Sequence, residues 1–165
     1  MQIHYFRGWF RARKRGTDPL DEAAALKAYK DRELYTVVLG ELRKPSCYLE
    51  LKGDYIGVGF LDKLLREYQS YQFQELQPGR VFLTQAVYRE YEGQAEKVAL
   101  GTAYAFRTDG KVIIHKVNFQ KKEESVNEGQ TEVSDNWDSF PEFGHYDSLA
   151  RVNRIKPPGM GAVTV

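Results

Sequence analysis

The fold is decided by residues 102–117, TAYAFRTDGKVIIHKV, which contain the clearest turn signal in the chain. Residues 102–106 and 112–117 are rich in β-branched and aromatic side chains, which are typical of strands. Between them, Asp109 and Gly110 can adopt the positive φ that a type I′ turn requires at both central positions. The stretch therefore predicts a β-hairpin.

Further candidate strands lie upstream, and each is joined to the next by a short turn sequence. Sequential strands with short links pair antiparallel, so a meander is the economical topology. In one of them, Gly57 and Gly59 alternate with apolar residues, which indicates a bend or a close backbone approach. The candidates are residues 47–51, 55–61, 68–76 and 81–91, with turns at Lys52-Gly53-Asp54 and Pro78-Gly79.

The N-terminal third predicts helical structure. Residues 21–29 resemble a helix whose N-cap would be Asp18, with Pro19 at the tolerated first position and acidic residues in the first turn. Residues 33–42 fit either an extension of this helix or a strand.

The C-terminal end predicts one more short element. Residues 146–153 could form a short helix that Pro157-Pro158-Gly159 would end, and residues 157–165 are expected to be a flexible tail. The complete expectation is a single α+β domain over residues 1–165. It is an antiparallel β-meander of about six strands, which could curl into a half-barrel, with one or two N-terminal helices and a short C-terminal helix.

The composition limits the class of protein. The chain has 165 residues, the length of one domain, and its net charge of +1 gives no argument for a nucleic-acid partner. Its one cysteine, Cys47, cannot form an internal disulfide, which fits a reducing compartment. The first residues lack the pattern of a signal peptide, and no stretch approaches the roughly 18 apolar residues of a membrane span. We therefore expect a cytoplasmic protein.

No stretch of the sequence carries a recognisable catalytic or metal motif. His4, His115 and His145 show no metal-ligand spacing, and there is no nucleophile elbow or phosphate loop. The sequence therefore predicts a protein that is not an enzyme and that needs no cofactor and no metal. A carboxylate pair stays open, because acid–base pairs follow no spacing rule; Glu50, Asp54 and Asp62 could lie near one end of the sheet.

Charge is segregated along the chain. A basic run near the N-terminus, residues 7–15, is interpreted as a solvated face rather than a nucleic-acid patch. Residues 123–147 hold eight acids and no Lys or Arg, interleaved with aromatic side chains. This acidic–aromatic segment is either a loop anchored by its own aromatics or a surface for a basic partner. The predicted partner-binding residues are Asp135, Trp137, Asp138, Phe140, Glu142, Phe143 and Tyr146.

Three stretches, residues 82–91, 101–110 and 137–146, resemble a group of small bacterial proteins encoded beside polymorphic toxins of the Rhs and contact-dependent-inhibition kinds. The resemblance covers about residues 47–150. It implies a cytoplasmic immunity protein that binds one cognate toxin domain, occludes its active site or substrate access and needs no cofactor. It leaves the toxin and the oligomeric state open.

An alternative function is left open by the residues. A small-ligand-binding protein or an enzyme could use the concave face of a curled sheet. Such a protein would need a pocket of several hundred Å³, about the size of ordinary ligand sites, with convergent polar groups.

Overall fold

The computed structural model describes residues 1–155. Within this range the chain is 57% strand and 10% helix, with eleven strands and one α-helix. The elements are β1 Ile3–Phe10, β2 Arg15–Leu20, α1 Glu22–Lys30, β3 Tyr35–Glu41, β4 Lys44–Lys52, β5 Tyr55–Leu61, β6 Glu67–Gln77, β7 Arg80–Tyr91, β8 Val98–Phe106, β9 Lys111–Asn118, β10 Glu123–Gln130 and β11 Trp137–Ser139.

All the strands belong to one antiparallel sheet. From β3 to β10 each strand pairs with the next, while β1 lies beside β3 and β2 forms the outer edge beyond β1. Strand β8 pairs with β7 only from Gln85 onward. The short β11 therefore pairs with the free beginning of β7, where Trp137 lies opposite Phe82.

The prediction of an α+β fold, with a meander of about six strands and several helices, is wrong, because the sheet has eleven strands beside a single α-helix; only its antiparallel pairing is as expected. The six predicted strands correspond to β4 through β9. The sequence does not predict β1, β2, β10 and β11, and it leaves β3 open between helix and strand. Strand β10 is almost wholly exposed, so it lacks the apolar alternation by which strands are recognised.

The predicted helices need a further correction. Asp21, not Asp18, is the N-cap of α1, and its carboxylate accepts from the Ala24 N–H at 2.8 Å. Asp18 and Pro19 lie in β2, where Pro19 is opposite Phe6. The described chain has no C-terminal helix, because residues 146–155 form turns whose carbonyls bind side chains of the sheet. The predicted tail, residues 157–165, lies outside the described residues.

The hairpin between β8 and β9 is confirmed, but its turn type is not I′. Of the two central residues, only Gly110 has a positive φ, of 91°. The Gly110 N–H donates to the Arg107 carbonyl at 3.0 Å, and the Arg107 N–H donates to the Lys111 carbonyl at 2.9 Å. The connection is therefore a β-turn followed by a glycine in the left-handed region. Such a hairpin loop is longer than the two-residue loop of a type I′ turn.

The main core lies on one face of the sheet, here called the core face. Alternate residues of β3 through β9 point to this face, and α1 and the C-terminal segment of residues 131–155 cover it. Buried aromatic side chains dominate it, which explains the high Tyr and Phe content. The largest fully buried side chains are Tyr35, Tyr48, Tyr71, Tyr146, Phe60, Phe73 and Phe82, of which all but Tyr48 belong to this core.

The opposite face, here called the second face, is strongly curved. Lys14, between β1 and β2, forms an ion pair with Glu96, between β7 and β8. In a flat sheet β1 and β7 would lie roughly 24 Å apart, because five strand spacings separate them. A direct contact therefore requires the sheet to bend toward the second face.

No helix of the described chain is long and apolar enough to cross a membrane.

Gly59 makes the second face possible. A Cβ atom at this position would lie 2.4 Å from the ring of Tyr48, which covers the glycine from the neighbouring strand. Tyr48 in turn stacks on Trp9, with ring centroids 4.7 Å apart. These two residues form a small second core with Val38 and Leu61. The sequence predicted a bend or a close backbone approach here, whereas the group that lies against Gly59 is a side-chain ring.

We predict that Gly59→Ala lowers the free energy of unfolding by about 1–3 kcal/mol, because its methyl group must displace the buried Tyr48 ring. Urea unfolding of both proteins would measure the difference. Gly101→Ala is the matched control in β8, since its Cβ would meet only Phe119 at 3.6 Å. Equal stability of the two variants would contradict this account of the glycine.

Candidate functional site

A cleft of about 400 Å³ lies on the second face. Its floor is formed by β4, β5, β6 and β7, where Ser70 has a small side chain and the Tyr55 side chain lies over Gly57. One wall comes from the end of β1 and the turn that follows it. The remaining walls come from the links after β5 and β7. The side chains that define this second-face cleft are Arg11, Lys14, Tyr48, Glu50, Tyr55, Arg66, Glu67, Ser70, Gln72, Arg89, Tyr91 and Glu96.

The charges around the cleft are balanced. Each of its cationic side chains lies near one carboxylate, and none of these pairs joins two residues of the same strand. The pairing therefore depends on the curvature of the sheet and on the loops that close the cleft. The pairs are Arg11 with Glu50 at 2.9 Å, Arg66 with Asp62 at 2.8 Å, Arg89 with Glu67 at 3.8 Å, and Lys14 with Glu96.

Glu67, the first residue of β6, is the centre of the cleft. Its Oε2 accepts a hydrogen bond of 2.9 Å from the Tyr48 hydroxyl. The same oxygen lies 3.9 Å from Nε of Arg11, and Oε1 lies 3.8 Å from Nη1 of Arg89. Both guanidinium distances are too long for hydrogen bonds. One carboxylate is therefore held between two guanidinium groups, with a close contact to neither.

Arg89 has an unsatisfied donor. Its Nη1 atom is buried and has no hydrogen-bond partner among residues 1–155. A buried donor without a partner costs about 1–3 kcal/mol, and more when it is charged. Unsatisfied groups of this kind are uncommon in folded proteins, and each calls for an explanation. Nε2 of His4, Oγ1 of Thr36 and Nε of Arg154 are also buried without a partner among residues 1–155, and of the four atoms only that of Arg89 belongs to a residue that lines the second-face cleft.

The pKa values of Tyr48 in the cleft and of Asp62 beside it are shifted in opposite directions. Burial, and then the neighbouring Glu67 carboxylate, raise the pKa of the Tyr48 hydroxyl, so Tyr48 stays protonated and donates. Burial alone would raise the pKa of Asp62. Hydrogen bonds from the Arg66 N–H, the Arg66 guanidinium and the Leu64 N–H outweigh burial and lower it. Asp62 therefore stays ionised and fixes Arg66 at the edge of the cleft.

The aromatic side chains of the acidic–aromatic segment pack onto the protein rather than project from it. Tyr146 is 1% exposed, and its hydroxyl lies 3.3 Å from that of Tyr35. Phe143 stacks on Tyr5 with ring centroids 5.1 Å apart. Phe140 lies under the Arg32 guanidinium at 3.7 Å, and Trp137 packs edge-on against Phe82 at 5.0 Å. This arrangement agrees with the interpretation of a loop anchored by its own aromatics.

The acidic residues of the same segment occupy two environments. Asp135 and Glu142 are exposed. Asp138 is half-buried and forms an ion pair with Arg154, whose side chain is 1% exposed. Arg154 also donates to the Ser148 carbonyl at 2.6 Å and lies over the ring of Phe73. Asp138 therefore holds the C-terminal segment in place.

The other candidates from the sequence are dispersed. Asp54, one of the three carboxylates left open, accepts from Gln74 at 3.2 Å and lies outside the cleft, whereas Glu50 lines the cleft and Asp62 pairs with Arg66 at its edge. The described chain contains no group of three or more His, Cys, Asp and Glu residues that could hold a metal ion. Burial raises the pKa of the Cys47 thiol to about 12, so this cysteine is an unreactive core residue.

A larger hollow of about 850 Å³ lies on the core face, near the end of the C-terminal segment. Its charged lining residues Glu90, Lys116, Glu123 and Glu124 are exposed to solvent, and Arg89 lines both this hollow and the second-face cleft. The exposed groups can keep their hydration shells, so a ligand would gain little by replacing water there. The second-face cleft also has exposed charges, with Arg11 64% and Glu96 65% exposed, but its central carboxylates Glu67 and Glu50 are only 21% and 23% exposed. The second-face cleft is therefore the better candidate site.

The protein is thus a curved antiparallel sheet with a charge-balanced cleft on the face opposite its core. Comparison with protein-family models, with curated proteins and with solved structures found no match. The functional argument consequently rests on the residues and their geometry.

We predict that Asp138→Asn lowers the free energy of unfolding by about 3 kcal/mol at neutral pH, because it leaves the buried Arg154 without its counter-charge. Urea unfolding would measure this loss. The control is Glu128→Gln, which breaks an exposed pair with Lys111 and should change stability by less than about 1 kcal/mol. Similar losses for both variants would contradict the structural role of Asp138.

The loss of stability in Asp138→Asn should depend on pH. Burial alone would raise the pKa of Asp138, but hydrogen bonds from Ser148, Ser139 and Arg154 lower it below its ordinary value. A lowered pKa contributes stability above the unfolded value of about 3.9, and this contribution is lost as pH falls through the folded pKa. The difference between wild type and Asp138→Asn should be constant near neutral pH and shrink below about pH 4.

Proposed function

We propose that the protein acts by binding, and that the second-face cleft holds a small polar ligand. The buried, unpartnered Nη1 of Arg89 at the cleft is the observation that supports this proposal. When the Arg89 side chain turns this donor toward the cleft, an acceptor atom of a ligand would satisfy it and remove the cost of leaving it without a partner.

The size and lining of the cleft agree with ligand binding. Its volume of about 400 Å³ is within the usual range of ligand sites. Glu50 and Glu67 approach Arg11 from two sides, and Tyr48 is fixed by Trp9 and Glu67. A ligand would therefore meet side chains that are already oriented, which lowers the entropic cost of binding.

A cleft-filling substitution tests this proposal. Ser70→Phe places a ring in the floor of the cleft, so we predict that it abolishes ligand binding while leaving the fold intact. The measurement is the shift of backbone amide signals in NMR during titration with pooled amino acids, nucleosides, sugars and inorganic phosphate. Gln74→Phe is the matched control, an exposed position on the same strand outside the cleft.

In the wild-type protein and in Gln74→Phe, the shifted signals should cluster around Gly57, Ser70, Gln72 and Arg89. In Ser70→Phe these shifts should be absent. The proposal fails if no pool shifts the cleft signals of the wild-type protein, or if Ser70→Phe and Gln74→Phe respond alike.

A second function, neutralisation of a cognate bacterial toxin domain in the cytoplasm, is favoured by the exposed carboxylates of residues 123–147 and by the sequence resemblance. Seven of the eight acids are exposed, and only Asp138 is half-buried. Such a surface attracts a basic protein and speeds its association. The contact would use Asp135 and Glu142, while Trp137, Phe140, Phe143 and Tyr146 hold the backbone beneath them.

Charge removal tests this second function. We predict that Asp135→Asn combined with Glu142→Gln weakens protection when the chain is co-expressed with the toxin gene next to its own, because both exposed charges that steer the partner are lost. Cell survival is the measurement. Glu33→Gln combined with Glu41→Gln removes the same charge elsewhere on the surface and should leave survival unchanged. Absence of protection by the wild-type chain against every adjacent toxin would eliminate this function.

A further inference from the structure

We infer that the ligand of the second-face cleft is a neutral polyhydroxyl compound, of carbohydrate or polyol chemistry. This inference rests on the proposed function and identifies its ligand class. It is carried by the charge balance of the cleft and by the position of Glu67 between two guanidinium groups.

The charge balance disfavours a charged ligand. The four cations at the cleft face four carboxylates, so no charge is left without a counter-charge. An anion approaching Arg11 would also approach Glu50 and Glu67, and a cation approaching Glu67 would also approach Arg11 and Arg89. Either ion would lose its hydration and gain little attraction in return. A neutral ligand meets no such opposition.

The spacing around Glu67 suits a hydroxyl group. A hydroxyl donates one hydrogen bond and accepts others at the same oxygen. The distance of 3.8 Å between Nη1 of Arg89 and Oε1 of Glu67 is too long for a direct bond, but one hydroxyl oxygen can bond to both atoms once the buried Nη1 turns toward the cleft. It would accept from Arg89 and donate to Glu67, and both bonds would be charge-assisted.

A similar gap separates Glu67 from the guanidinium group of Arg11. Its Nε lies 3.9 Å from Oε2 of Glu67, so a second hydroxyl could bridge this pair while the Arg11–Glu50 contact is kept. Two bridging positions around one carboxylate match neighbouring hydroxyls on a ring or a chain. A ligand with a single polar atom could use only one of them.

The rim of the cleft adds apolar surface to this polar centre. Tyr55 is 41% exposed and lies along its strand over Gly57. The Tyr91 ring lies under the Arg66 guanidinium at 4.6 Å, and the Tyr91 hydroxyl donates to the Glu67 carbonyl at 2.8 Å. Sugars present C–H groups beside their hydroxyls, so aromatic edges next to paired charges complement both kinds of surface.

A zwitterion is the main competing ligand. It could in principle place its carboxylate on the guanidinium groups and its ammonium on Glu67. It would then use Nη1 of Arg89 and Oε1 of Glu67 and leave both the 2.9 Å contact of Arg11 with Glu50 and the 2.9 Å bond of Tyr48 with Glu67 in place. Unlike a polyhydroxyl compound, a small zwitterion such as glycine would leave the gap between Arg11 and Glu67 unfilled.

The test is a binding screen with the whole chain. Fluorescently labelled protein is applied to an array of neutral oligosaccharides, and the strongest hits are titrated as free sugars by NMR, beside glycine and inorganic phosphate. We expect saturable binding of at least one neutral oligosaccharide, with shifted amide signals at Ser70, Gln72 and Arg89. Glycine and inorganic phosphate should leave these signals unchanged.

Arg89→Met removes the bridging donor and should weaken sugar binding about tenfold or more, since a hydrogen bond to a charged group contributes about 1.5–3 kcal/mol. Arg107→Met is the matched control at an exposed turn and should bind like wild type. Thermal unfolding of both variants verifies that they fold.

The possible results separate the ligand class from the proposed function. If glycine or phosphate shifts the cleft signals and no neutral sugar does, the ligand class is wrong and the cleft remains a binding site. If sugar binding survives Arg89→Met, or if its shifts lie outside the cleft, the inference is overturned. If no probe of any kind binds, both proposals fail.

Discussion

Tyr48 lies across Gly59 and stacks on Trp9, and this contact holds the end of β1 against the middle of the sheet. The arrangement depends on the missing side chain of the glycine, because a Cβ would occupy the place of the ring. Once Tyr48 lies flat, its hydroxyl reaches Glu67 two strands away. One packing contact therefore produces a second apolar core, a curved sheet and the central hydrogen bond of the cleft.

The two faces of the sheet are stabilised in different ways. The core face is covered by α1 and by the C-terminal segment, and its mainly apolar and aromatic contacts include one buried ion pair, Arg154 with Asp138. The second face has a small apolar cluster at one side, and the rest of its middle is polar. Ion pairs such as Arg66 with Asp62 take the place of packed side chains there. A binding cleft can persist on this face because the core face supplies most of the burial.

The central strands could be predicted from the sequence because their signals are local. Turn residues such as Gly53, Gly79 and Gly110 mark their ends, and each has a positive φ. Strand β10 gave no such signal, since an exposed edge strand needs no apolar alternation. The N-cap was misplaced by three residues because Asp18, which looks suitable for a cap, lies instead within strand β2.

The cleft could not be predicted, because its residues are distant in sequence and meet only through curvature. Arg11, Glu50, Glu67 and Arg89 lie on four different segments of the chain. The sequence contained one relevant signal, the pair Gly57 and Gly59 among apolar residues, and it indicated a close approach without indicating what approaches. The acidic–aromatic segment was visible in the sequence, but the direction of its aromatic side chains was decided by the core face.

The C-terminal cover has a consequence for how the chain folds. From β3 to β10 every strand pairs with its neighbour in sequence, so these hairpins close short loops and can form in order. The contact between Tyr35 and Tyr146 instead joins residues 111 positions apart. During synthesis the meander emerges before its cover, with the aromatic core face open to solvent. We expect the docking of residues 131–155 to be the late step of folding, and this interval to be when the chain is most prone to aggregate.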